Sequence, residues 1–165
     1  MSMIMEFLRV SKDELKEYIE NSELLEERVF SEDIDEDDNL LDLQKSWDGI
    51  AFLLTGKGAT EASGELSNIM FSDKLIDEEQ DMGYGPACYV DSDEVKNLNN
   101  TISKISIKEL KEKFDPNKMN QLELYPGDWD RGEEELEYLL INFKDLQAFY
   151  QKAANENQAI ITMLS

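Results

Sequence analysis

The stretch Leu40-Leu41-Asp42-Leu43-Gln44-Lys45-Ser46-Trp47-Asp48-Gly49-Ile50-Ala51-Phe52-Leu53-Leu54-Thr55-Gly56 decides how the chain is read. Leu40, Leu43, Trp47, Ile50 and Leu54 recur three and four residues apart, which places them on one face of a helix. From Ile50 to Leu54 every residue is apolar, so that half of the helix is expected to be covered on all sides. Gly56 supplies the left-handed residue that commonly closes a helix. The segment therefore reads as the central core helix of the fold.

Outward from it, the two ends of the chain read as strands. Ser2 to Val10 is short, apolar and β-compatible, and Ala159 to Leu164 (Ala-Ile-Ile-Thr-Met-Leu) is a second such run that can pair with it. Ser11 followed by Glu14, Asp91 by Glu94 and Ser106 by Glu109 carry the spacing of capping boxes and predict helix starts. The first of these helices has Leu15, Tyr18 and Ile19 as its apolar stripe, and Ser22 to Phe30 continues as a second helix with Leu24, Leu25 and Val29. Val95, Leu98, Ile102 and Ile105 form the buried stripe behind Asp91, and Leu110 and Phe114 the one behind Ser106. Pro116 after Asp115 opens another helical turn. Ser63 to Phe71 reads as a short helix and Ala87 to Val90 as a strand behind the Gly83-Tyr84-Gly85-Pro86 turn. Glu133 to Ala154 is the clearest amphipathic helix, with Leu136, Leu139, Leu140, Phe143, Leu146, Phe149 and Tyr150 on one face. Terminal strands with mostly helices between them predict an α+β fold: one domain over residues 1–165, with a small mixed or antiparallel sheet that includes both terminal strands.

Composition bounds the function. A chain of 165 residues with 41% hydrophobic content can bury a real core. Its apolar runs reach only about six residues, against about 20 for a membrane span, and no secretory signal is visible at the start. The single cysteine, Cys88, rules out an internal disulfide framework and fits a reducing compartment, so a cytoplasmic, soluble protein is expected. Thirty-eight acidic residues against 16 basic ones leave a net charge of −22, and histidine is absent. That field repels nucleic acid and anionic membranes. It serves solubility or, in the alternative reading, steers encounters with basic proteins.

Little of the chain offers chemistry. Without histidine there is no Ser-His or Cys-His nucleophile pair and no usual transition-metal ligand set, so no catalytic residue, cofactor or metal is expected. Asp33, Asp35 and Asp37 alternate like the first ligands of a calcium loop. The sixth position, however, is Asp38 rather than Gly, and the twelfth is Gln44 rather than Glu. The Gly-containing turn after Gly56 has no phosphate-binding spacing. Cys88, within a strand, reads as a small buried residue. Asp42 and Asp48 are the least arbitrary carboxylates for acid/base work. Tyr84, Tyr125 and Trp129 lie beside glycine and proline in loops, where binding residues concentrate, and the same rings would also serve to plug the ends of the core. With Trp47 and Asp48 they form the candidate binding set.

Trp47 to Gly56, Gly83-Tyr84-Gly85-Pro86-Ala87 and Leu124-Tyr125-Pro126-Gly127-Asp128-Trp129, in that order, resemble the YfbM-like family of bacterial proteins, a family of unknown function. The resemblance spans the chain from Ser2-Met3-Ile4 to the final strand. It implies a single α+β domain in the bacterial cytoplasm and brings no established reaction, cofactor or partner. The family often carries histidine where this chain has Ala51, arginine at Cys88 and glycine at Ser2. A catalytic histidine or an anion-binding arginine at those places would be missing here. The expectation is a non-enzymatic, acidic interaction module of the immunity-inhibitor type that binds a basic partner. A small-molecule-binding or hydrolytic domain built on the aromatic loops and nearby carboxylates is the alternative.

Overall fold

The computed structural model describes residues 2–165. The two apolar terminal runs pair antiparallel as β1 (Met5–Val10) and β4 (Ala159–Leu164), in register from Met5 opposite Leu164 to Val10 opposite Ala159. They form the centre of a four-stranded antiparallel sheet. β2 (Leu40–Asp42) lies outside β1 and β3 (Cys88–Val90) outside β4, giving the order β2-β1-β4-β3. The mixed-sheet option is thereby settled as antiparallel.

Side chains alternate across a strand, so each central strand feeds two cores. Met5, Phe7 and Ile160 pack into the larger one, built with α3 (Trp47–Thr55), α4 (Ser92–Ile102), α5 (Ile107–Lys113), α6 (Pro116–Gln121) and α7 (Glu133–Asn155). Leu8, Val10, Ala159, Ile161 and Met163 pack on the opposite face against α1 (Lys12–Glu20), α2 (Glu23–Val29) and the loop residues Ile76 and Met82. The sheet is thus sandwiched between two layers. Buried Arg9 sits over the Phe149 ring at 5.5 Å, and its guanidinium donates to Glu156, Gln158 and the Asp38 carbonyl.

Local chemistry places most elements where the sequence reading did. Ser11 accepts from the Glu14 N–H while the Glu14 side chain accepts from the Ser11 N–H, a complete capping box. Asp91, Ser106 and Asp115 cap α4, α5 and α6 through their side chains. Gly56 closes α3 in the left-handed region at φ 82°. All residues of α3 from Trp47 to Leu54 are buried.

The expected single helix from Leu40 is not present. Leu40–Asp42 instead extends along β1, and the register continues as Leu43 donates its N–H to the Met5 carbonyl. The Asp42 carboxylate then accepts from the Gln44 N–H at 2.7 Å, with Gln44 at φ 53°, and this turn redirects the chain into α3. The spacing of Leu40 and Leu43 coincides with a helical period, but a neighbouring strand captured them. Smaller differences follow. The first strand begins at Met5, Glu65–Ile69 is a 3-10 helix, and Ile105 lies beyond α4. Ile19 and Leu24, assigned to apolar stripes, are exposed because the sheet is covered by Leu15, Tyr18, Leu25 and Val29.

Candidate functional site

Four of the five expected site residues come together at one end of the larger core. The Trp47 and Tyr125 rings stack with centroids 5.5 Å apart and planes inclined by 20°. The Trp47 indole N–H donates to the Met3 carbonyl, and the Met3 N–H donates to the Tyr125 hydroxyl, so both side chains hold the Met3 backbone. Buried Asp48 accepts from the Ala59 N–H at 2.7 Å and the Tyr125 N–H at 2.8 Å, tying two loops to the first turn of α3. Trp129 is buried, its indole N–H held by the Leu124 carbonyl and its ring close beside Gly49. Each polar atom already has an intramolecular partner. The cluster is packed as a plug: Trp47 and Trp129 are buried, Tyr125 is half-buried, and Asp48 serves as a backbone clip.

Tyr84 lies apart. It is 44% exposed, its N–H donates to the Leu164 carbonyl at the end of β4, and among the described residues no hydrogen bond or ring contact joins it to the other four. Asp42 is spent on the turn after β2. Burial pushes the Cys88 thiol upward, with the Ser72 N–H partly opposing it, which suits an inert core residue. Among the described residues no group of three or more Cys, Asp or Glu is arranged to hold a metal ion.

The larger feature is the layer on the other face of the sheet. Residues 12–38 and 73–81 carry eighteen of the 38 acidic residues and only four of the 16 basic ones. Although distant in sequence, the two segments meet. The Ser22 hydroxyl donates to the Asp77 carboxylate at 2.7 Å, Gln80 donates to the Ser22 carbonyl, and Ile76 and Met82 share the apolar cluster beneath α1 and α2. Arg28 holds the layer internally by donating to Asp37, Glu14 and the Tyr18 hydroxyl. Burial works against its charge, but the bonds to Asp37 and Tyr18 outweigh it, so Arg28 is held more firmly protonated than usual. Asp37 in turn stays below the ordinary carboxylate range through its bond to Arg28. The remaining carboxylates of the 32–38 run are mostly exposed, and Phe30, 59% exposed, projects just before them. The acid run itself is visible in the sequence. That residues 73–81 join it depends on hydrogen bonds between residues more than fifty positions apart, which carry no local signal.

A cleft of about 330 Å³ opens beside the plug, lined by Lys45, Gly127, Trp129, Arg131, Glu135 and Tyr138 among others. Glu135 accepts the Arg131 N–H, and burial raises its carboxyl above the usual range. The Tyr138 hydroxyl accepts from the Lys45 N–H and donates to the Gln44 side chain. Cations and carboxylates line the same space.

A family model described as a domain of unknown function (DUF1877) matches residues 1–163. The crystal structure of YfbM, a protein of unknown function from Escherichia coli, superposes with a TM-score of 0.76 at 17% identity, covering 98% of this chain and 99% of that one. At that identity the likeness speaks for a shared fold. No curated protein matches the chain.

Proposed function

This chain belongs to the DUF1877 family, domains of unknown function, and from that premise we propose that it is a non-enzymatic binding module whose acidic layer receives a basic protein. The observation that carries the reading is the uneven placement of charge. A charge kept only for solubility would be spread evenly, whereas here nearly half of the carboxylates sit on α1, α2 and the loops joined to them. A concentrated field of one sign raises the encounter rate with an oppositely charged partner and orients it before contact. Exposed Phe30 at the margin of the acid run provides an aromatic anchor of the sort that dominates binding energy. An immunity-type inhibitor of a basic toxin or nuclease in the bacterial cytoplasm has these requirements: small size, high acidity, and no chemistry of its own.

The test is affinity capture from the native cells at low salt with three baits. They are the wild type, a variant with Glu23, Glu27, Glu32, Asp33, Asp35 and Glu36 neutralised to amides, and a control with Glu61, Asp93, Glu112, Glu123, Glu133 and Glu134 neutralised instead. A basic protein held by wild type and control but lost from the first variant supports the reading. Equal retention by all three baits, or no basic protein at all, refutes it. One observation favours a second reading, a small polar ligand in the cleft: Lys45 and Arg131 take part in none of the ion pairs among the described residues. Ligand-dependent thermal stabilisation that disappears in Arg131→Ala would favour it.

A further inference from the structure

The outward stripe of α7 is self-complementary. With 3.6 residues per turn, the exposed residues Glu133, Glu137, Ile141, Lys144 and Ala148 fall within roughly a quarter of the helix circumference, with buried Leu140 at its inner margin. Ile141 is 54% exposed and stands at the middle of this stripe, with acid before it and a lysine after it. Beside it runs a groove of about 490 Å³ between α5 and α7, floored by Ile107, Leu136 and Leu140 and edged by Lys111, Glu137 and Lys144. None of these charged side chains forms an ion pair within the described residues. Unpaired charges of opposite sign flanking an exposed isoleucine are what a two-fold helix contact uses.

We infer that α7 is the contact of a symmetric dimer, its occupant being α7 of a second copy of this chain running antiparallel. A two-fold axis passing between Leu140 and Ile141 sets Glu137 of each copy opposite Lys144 of the other. It also seats each Ile141 against the partner's groove, and Glu133 comes opposite the small Ala148. Each favourable pair occurs twice because the axis repeats it. The net charge of −22 on each copy opposes the approach at long range, so added salt strengthens the dimer by screening that repulsion.

Sedimentation equilibrium on the full chain, from about 10 to about 500 µM to cover weak association, tests the contact. Wild type is expected to fit a monomer–dimer equilibrium that tightens with salt. Ile141→Glu is expected to be monomeric throughout. Glu137→Lys and Lys144→Glu each place like charges opposite one another twice, weakening the dimer on the order of tenfold or more. The double swap Glu137→Lys with Lys144→Glu restores it. All of these positions lie on the outer surface of the helix, and far-ultraviolet circular dichroism confirms that each variant folds. A monomeric wild type, open-ended assembly beyond the dimer, or a double swap no tighter than the singles overturns the inference.

Discussion

Replacing Asp48 by asparagine separates a structural clip from a functional carboxylate. The Asp48 side chain is 9% exposed and accepts two backbone N–H groups, from Ala59 at 2.7 Å and from Tyr125 at 2.8 Å. An ionised acceptor makes each bond worth about 1.5–3 kcal/mol, and a buried donor left without an acceptor costs about 1–3 kcal/mol. Asparagine retains one oxygen and turns an NH₂ toward the other donor. One bond is lost and the other is weakened, for a total of about 3 kcal/mol. A chain of this size loses about 2–4 °C of Tm per kcal/mol, so Asp48→Asn is expected to melt about 6–12 °C lower. The exposed control Glu61→Gln changes stability by no more than about 0.5 kcal/mol. Calorimetry supplies the Tm, and near-ultraviolet circular dichroism follows the Trp47–Tyr125 stack, which relaxes as the Tyr125 backbone is released. A Tm within about 1 °C of wild type, against the several degrees that two such bonds require, would refute the assignment of Asp48 as a clip.

Three further outcomes follow from the same geometry. Glu6 lies directly across from Asp42 in the β1–β2 register, and burial first, then Asp42 and Asp35, raise its pKa. The folded state therefore binds that proton more readily than the unfolded one. Ionised Glu6 opposes folding at neutral pH, and the penalty fades as pH falls through the raised value. Glu6→Gln should accordingly stabilise by about 1 kcal/mol at pH 7 and by nothing once the carboxyl is protonated, which paired thermal melts will show. Buried Cys88 should resist an aromatic disulfide reagent in the native state and react fully once unfolded; fast native reaction would contradict its burial. A Cβ on Gly49 would sit 2.7 Å from Leu139 Cδ2 and 2.8 Å from Trp129 Cη2, so Gly49→Ala should cost about 1–3 kcal/mol by chemical denaturation.

The parts of the fold legible in the sequence are those with a local cause. A capping box marks α1 and a serine cap marks α5, the terminal apolar hexapeptides mark the central strands, and Gly56 marks the end of α3. The α+β class and the family follow from these and from the three ordered motifs. Leu40 and Leu43 misled because three residues of β2 are too few to show a two-residue period, while their spacing imitates a helix. The loop aromatics were legible only as far as their place in the chain. Glycine and proline announce a loop around Trp129, but whether its ring turns inward depends on Gly49 leaving room across the core. The acidic layer was half legible: Glu32–Asp38 stands out in composition, whereas Asp73–Asp81 joins it only through Ser22.

The central claim is that the charge of α1, α2 and their loops steers a basic protein. The measurement that bears on it most directly is the association rate of a basic protein retained in the affinity capture, followed by stopped-flow as ionic strength rises. For wild type the rate is expected to fall on the order of tenfold or more between low and physiological salt. For the variant neutralised at Glu23, Glu27, Glu32, Asp33, Asp35 and Glu36 it should start low and respond only weakly to salt. Equal rates and equal salt dependence in the two proteins would contradict the account.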